Sequence, residues 1–412
     1  MRLEKLSLIL HFYQPSIQTQ NQFKQIFDSC YFPLLRLFKV KKNCKFTINI
    51  PLSFLELADA YGYSAWISDL AKLYDQGTIE LVGTGAYHPL LNSVPETIAT
   101  DEIILQEYGL GYYFGKHTGF DGEKEILIRD IKGFFPPELA VSSSVCDILA
   151  ELGYKWVLAD ECSVADPKFP LVQHTSGLYV MLRNTAISNI LAFHRGFETT
   201  PIYTALKEYG HEHLTLALDA ETFGHHNKEG VVLLDILIDQ LLQKSVRFET
   251  ASALVEELAD IPESVETQEV ELSSWGATAK DVQNALPLPM WNIPSNILHE
   301  SIWQLFSHLF ASYAKLESPE AVSSLGNSAL WKPAVTDKLD AKTRYFVETK
   351  FMILKLLASD FLWWASGSKL MNGVVLLDKE LLKKYLVLGN SYALYTSDRK
   401  AGELCDTIEK LL

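Results

Sequence analysis

The chain has 412 residues, 48% of them hydrophobic and 21% charged, which is enough for a large buried core and leaves no room for wholesale disorder. A net charge of −15 argues against a nucleic-acid partner, because phosphate binding draws on clustered Lys and Arg. The five cysteines, Cys30, Cys44, Cys146, Cys162 and Cys405, never form a C-x-x-C arrangement, so neither a disulfide framework nor a zinc knuckle is indicated.

The first apolar run, Leu6–Leu10, is too short for a signal-peptide core or a membrane span and reads as a strand. Further strand-like runs follow at Phe46–Ile50, Ile79–Val82, Gly133–Phe135, Trp156–Ala159, Tyr179–Leu182 and Leu214–Leu218. Amphipathic stretches lie between them, at Ser53–Tyr61, Ser64–Gln76, Glu96–Phe114, Ser144–Leu152 and Val231–Gln243. Such alternation favours a parallel sheet, and seven or eight units favour its closure into a barrel. After about Thr250 the strand signals fade and the chain becomes helical, with Trp275, Trp291, Trp303, Trp331, Trp363 and Trp364 concentrated there. Met352–Trp364 is apolar but carries Lys355 and Asp360, and reads as a buried helix. A boundary is expected near residue 262, in Ile261-Pro262-Glu263, giving a barrel over 1–262 and a helical domain over 263–412 that packs directly on it. The expected setting is reducing and cytoplasmic, without a membrane partner. Oligomeric state leaves no mark on the sequence.

Several strands run into polar and aromatic clusters: His11-Phe12-Tyr13-Gln14-Pro15, Thr84 to Pro89, Pro136-Pro137-Glu138 and Asp219-Ala220-Glu221. All follow the C-terminal ends of strands, where the loops of an α/β barrel build the active site. Glu138 sits behind two prolines and Phe134-Phe135. That is consistent with a rigid carboxylate in a low-dielectric pocket and equally with a helix-start residue placed for the macrodipole. Asp219 closes the apolar run Leu214–Leu218, where a carboxylate is costly unless used or paired, so function is favoured there. Glu221 serves the same cleft or caps the next segment. A divalent metal held by His11, His88, His225, His226 and Asp219 lacks the usual short ligand spacing, so hydrogen bonding of His11 and His88 to sugar hydroxyls is the better reading. Trp275, in a loop-like Ser273-Ser274-Trp275-Gly276, suits stacking on a pyranose, although tryptophans of a helical domain more often serve the core. Asp360 on an apolar helix needs a partner or a ligand.

Taken in order, these segments resemble the five short motifs of glycoside hydrolase family 57. His11-Phe12-Tyr13-Gln14-Pro15 is similar to the first, usually H-x-H-Q-P, with Tyr13 in place of the second His. Gly83 to Pro89 resembles the second, and Phe135-Pro136-Pro137-Glu138 the third, whose Glu is the family nucleophile. Asp219 to Gly224 resembles the fourth, whose Asp is the general acid/base. Leu357 to Trp364 is similar to the fifth, where the Asp and an aromatic residue help to hold substrate. Ser274-Trp275-Gly276 and Pro289-Met290-Trp291 also match stretches common in the family. The resemblance implies an α/β fold, an incomplete (β/α)7 barrel with a C-terminal helical bundle. It implies a retaining glycoside hydrolase or transglycosylase acting on α-linked oligo- or polysaccharide (α-glucans, as in amylases or 4-α-glucanotransferases), without cofactor or metal. Glu138 and Asp219 would be the catalytic pair, and His11, Gln14, His88, Glu221, Trp275, Asp360 and Trp363 would bind substrate. Two other classes stay open: a metal-dependent carbohydrate deacetylase and a non-catalytic glucan-binding protein.

Overall fold

All seven residues of β1 (Lys5–His11) are buried, as expected for a parallel strand covered on both faces, which reads as a continuous apolar run. The computed structural model describes residues 2–115, 131–165, 170–261, 265–319, 330–367 and 377–412. The other strands are β2 (Phe46–Asn49), β3 (Ile79–Val82), β4 (Gly133–Phe134), β5 (Trp156–Asp160), β6 (Leu171–Gln173), β7 (Tyr179–Arg183), β8 (His213–Asp219), β9 (Arg247–Phe248) and β10 (Val265–Thr267). Each of the seven runs read from sequence is a strand within one residue at either end. The five amphipathic stretches are helices to the same tolerance, for example Glu96–Phe114 and Gly230–Leu242.

The strands form two five-stranded sheets, one in the order β3-β2-β1-β8 with β9 also on β1, the other in the order β10-β6-β7-β5-β4. Apart from the antiparallel β6–β7 pair, every strand pairing is parallel. The fold is therefore mixed α/β with parallel sheets and many helices. Gly83 connects the sheets: its N–H donates to Gly133 O and its carbonyl accepts from Phe135 N–H, both at 2.9 Å. Glycine is required on both sides of this seam. A Cβ on Gly83 would lie 2.4 Å from the Tyr154 hydroxyl, and one on Gly133 would lie 2.0 Å from the Trp156 ring. On the far side, Asn184 N–H donates to Thr215 O at 2.9 Å, linking the end of β7 to β8.

Register sets the site. His11 is paired with Asn49 of β2 and with Asp219 of β8, so three polar side chains end adjacent strands at one level.

Two expectations need correction. The segment Met352–Trp364 is not one helix: Ala341–Leu356 ends, and a short helix restarts at Asp360–Trp364. The break is held from outside, because Ala358 forms an antiparallel bridge with Pro89 and Ser359 N–H donates to His88 O at 2.9 Å. Strand structure also continues past Thr250, since β10 pairs with β6 and Ser273 bridges Val141. Of the expected boundary, Pro262 and Glu263 lie outside the described residues. The helical part packs directly on helices that flank the sheets, with Lys350–Asp101 at 2.9 Å to the helix Glu96–Phe114 and Lys355–Glu56 at 3.1 Å to the helix Leu52–Ala60. Among the described residues no helix is long and apolar enough to cross a membrane, and all five cysteines are free.

Candidate active site

Past β4, the chain turns through Pro136-Pro137 into a single 3-10 turn, Pro137–Leu139, with Glu138 at φ 60° and Leu139 at φ 46°. Neither residue is glycine, so the left-handed conformation costs on the order of 1–3 kcal/mol at each and persists only where the surroundings enforce it. The next helix starts separately at Ser143, capped by Ser142, so the helix-start reading of Glu138 falls. Three contacts hold the turn. Trp275 N–H donates to Glu138 O at 3.0 Å. Trp275 Nε1–H donates to Glu138 Oε2 at 2.9 Å, and Ser359 Oγ–H to Oε1 at 2.7 Å. Each carboxylate oxygen thus has its own donor. Burial pushes the Glu138 pKa up to about 8, opposed by the Ser359 hydrogen bond, reinforced by the charges of Asp360 and Asp219, and opposed again by Trp275.

Asp219 ends β8 half-buried, and its carboxyl accepts no side-chain hydrogen bond among the described residues. Burial raises its pKa to about 6, and the nearby Arg183 guanidinium opposes the rise. Arg183 ends β7, buried, 5.8 Å above the Trp275 ring and 3.8 Å from Asp160 Oδ2.

The floor is an aromatic stack. His11 lies flat on Phe135 at 4.9 Å and on His88 at 5.0 Å, and Tyr13 covers His88 at 4.1 Å. His11 Nδ1 bonds Asn49 Oδ1, and burial lowers its pKa to about 4; burial takes His88 well below its usual value too. Both rings are therefore neutral hydrogen-bonding groups near pH 7. Tyr13 donates its hydroxyl proton to Asp360 Oδ2; burial raises Asp360 to about 6 and the Tyr13 bond opposes this. Gln14 Nε2 donates to Tyr31 OH at 2.9 Å and to Glu221 Oε1 at 2.8 Å, and Tyr31 also donates to Glu221. Glu221 is pushed up to about 8 by burial and then by the Asp219 charge.

Of the residues expected at the site, Glu138, Asp219, His11, His88, Trp275 and Asp360 converge. Gln14 and Glu221 form a buried pair beside them. Trp363 instead stands against Trp291 at 5.3 Å, one helical turn beyond Asp360. His225 and His226 donate their backbone N–H groups to Glu221 O, at 3.2 and 2.9 Å. Among the described residues no group of three or more His, Cys, Asp or Glu side chains is placed to hold a metal ion. Sequence reasoning missed Ser359, Arg183, Asn49 and Tyr31. Arg183 had a signal, a cation ending the apolar run Tyr179–Leu182; Ser359 had only its place beside Asp360.

The sequence profile described as Glycosyl hydrolase family 57 matches residues 8–268, more than half of the chain. The chain belongs to glycosyl hydrolase family 57. An alpha-amylase of Pyrococcus furiosus is 27% identical over 161 residues, which is 38% of this chain and 22% of that protein. The chain therefore spans under a quarter of the length of that curated relative. Among solved structures, a family 57 branching enzyme of Thermococcus kodakaraensis superposes with a TM-score of 0.67 at 14% identity, covering 99% of this chain and 94% of that one. An alpha-amylase of Thermotoga maritima gives a TM-score of 0.65 at 13% identity, covering 99% and 96%. At these identities the structural likeness is one of fold.

Proposed function

We propose that this family 57 chain is a retaining glycoside hydrolase or transglycosylase of α-linked glucans, with Glu138 as nucleophile and Asp219 as general acid/base. The observation that carries the reading is Glu138 itself, held in a strained backbone conformation with one donor on each oxygen and facing a second, unbonded carboxyl. A nucleophile needs fixed aim, whereas an acid/base must exchange its proton freely. Glu138 attacks the anomeric carbon while Asp219 protonates the departing glycosidic oxygen. Asp219 then takes a proton from water or from an acceptor sugar, whose oxygen displaces Glu138 with overall retention. His11, His88 and Asp360 present hydrogen-bonding groups to the sugar, and Trp275 offers a ring beside Glu138. Gln14 and Glu221 shape the adjoining wall, and Trp363 serves an outer position. The α-glucan substrate is supported by the named activities of the relatives, amylase and branching enzyme.

The two sheets are read as one incomplete (β/α)7 barrel in the order β1-β2-β3-β4-β5-β7-β8, followed by a helical bundle. The Gly83 seam and the Asn184–Thr215 bond support this reading. Five free cysteines accord with a reducing, cytoplasmic setting.

The protonation pattern predicts a pH profile. Attack needs Glu138 ionised and Asp219 protonated, so the pair must carry one proton. With Asp219 at about 6 and Glu138 at about 8, the pair carries one proton between those values, mostly on Glu138. The productive arrangement is the minor one of the two and follows the same bell, so kcat/KM rises through about pH 6 and falls through about pH 8. Arg183 favours the ionised form of Asp219, so Arg183→Met should move the lower limb upward by about half a unit, while Arg183→Lys leaves it in place. Profiles of the two variants that coincide would contradict this role.

Incubation with maltoheptaose, with the product ladder resolved, tests the activity. Shorter sugars alone mean hydrolysis; longer and shorter ones together mean transfer. Binding of maltoheptaose with an unchanged ladder would contradict an enzymatic role.

A further inference from the structure

Glu138 and His88 do not meet directly, since His88 Nδ1 and Glu138 Oε1 are 3.7 Å apart. The Ser359 hydroxyl stands between them, 2.7 Å from Glu138 Oε1 and 2.9 Å from His88 Nδ1. Ser359 is fully buried and fixed at the helix break: its N–H donates to His88 O at 2.9 Å, and its carbonyl accepts from Leu362 and Trp363 N–H at 3.0 Å. A hydroxyl has one proton, so the ends of the chain decide which way it points. An ionised Glu138 can only accept. Ser359 then donates to it, and its oxygen accepts the hydrogen bond of His88 Nδ1–H. A neutral imidazole carries a single N–H, which leaves Nε2 bare. That nitrogen is buried and without a hydrogen-bond partner among the described residues. A buried acceptor in this state is costly until something donates to it. His11 and Tyr13 stack on the ring and keep it from turning away.

We propose that Ser359 is a positioning residue that couples the nucleophile to the substrate. It donates to Glu138, accepts from His88 Nδ1–H, and so makes His88 Nε2 the acceptor for a hydroxyl of the sugar bound at Glu138. The inference rests on the reading of Glu138 as nucleophile. The groups facing Glu138 are Ser359, Trp275, His88, Tyr13, Asp360 and Asp219. Ser359 and Trp275 favour its ionised form, and the two carboxylates oppose it. Without Ser359, Trp275 alone would counter burial and the two charges.

The test uses the full chain, with maltoheptaose as substrate. Ser359→Ala should lower kcat about 10- to 100-fold with KM changed less than about threefold, the loss carried by one hydrogen bond to a charged group. It should also move the upper limb of the pH profile upward by about one unit. Ser359→Thr, which keeps the hydroxyl, should restore both. A merely structural Ser359 would lower the melting temperature and leave the limb in place, and that result in a folded Ser359→Ala would overturn the proposal. A second measurement needs no turnover. At pH 9, with Glu138 ionised, 15N NMR of histidine-labelled wild-type protein should show His88 as the Nδ1–H tautomer, and an Nε2–H tautomer would overturn the proposal whether or not the alanine variant folds. Wild-type protein inert on glucans would sink the reading of Glu138 instead, and the tautomer would still decide the link through Ser359.

Discussion

Glu138→Gln should lower kcat on maltoheptaose by at least about a thousandfold while the dissociation constant stays within about threefold, measured by steady-state kinetics and calorimetry. The scale follows from removing the group that forms the covalent intermediate, a role that binding energy elsewhere in the cleft cannot replace. Binding survives because the amide has nearly the same shape and the aromatic floor of His11, His88 and Phe135 is untouched. The substitution is not silent within the site. Both Glu138 oxygens accept hydrogen bonds, whereas glutamine offers one oxygen and an NH2 group, so either Trp275 loses its acceptor or Ser359 turns to accept from the NH2 and donates to His88 Nδ1. One unmet buried donor costs about 1–3 kcal/mol, and losing the repulsion of Asp360 and Asp219 offsets part of it. Glu138→Gln protein that turns over at the wild-type rate would sink the nucleophile assignment.

Asp219→Asn should behave differently, and the difference separates the two roles. On maltoheptaose, whose leaving oxygen needs a proton, kcat should fall about 100- to 10,000-fold, the span attributed to general acid–base catalysis. On maltosyl fluoride, whose fluoride leaves unprotonated, the first step should keep most of its rate. The second step still lacks a base, so fluoride release should show a burst of about one equivalent followed by slow turnover. Equal losses on both substrates, without a burst, would contradict the assignment. Arg183 acts on the same carboxyl. It is buried beside Asp219 and holds the carboxyl below where burial alone would put it.

Much of this arrangement was legible from the sequence, and the reason is physical. Parallel strands buried on both faces appear as continuous apolar runs, so β1 and β8 were visible as Leu6–Leu10 and Leu214–Leu218. Their register then placed His11 beside Asp219, two residues recognised from separate motifs. What was hidden depends on contacts distant in sequence. β6 and β10 are three residues each and gain strand character only by pairing with each other and with β7. The helix break at Leu357–Ser359 has no Pro or Gly to announce it; it exists because Pro89 and His88 bond to it. Ser359 was hidden for the same reason, since it reaches Glu138, 221 positions earlier, only across that break. Glu138 shows the limit most clearly. Local sequence suited a helix start as well as a catalytic group, and only its φ of 60° and its contacts with Trp275 and Ser359 separate the two.

The most direct test of the central claim is to trap the glycosyl-enzyme. Asp219→Asn protein should be incubated with maltosyl fluoride, quenched during the slow phase, digested and mapped by mass spectrometry. A maltosyl ester is expected on the peptide containing Glu138, absent when Glu138→Gln is added to the same chain. An ester on Glu221 or Asp360, or no ester together with inverted anomeric configuration in the wild-type product, would contradict it.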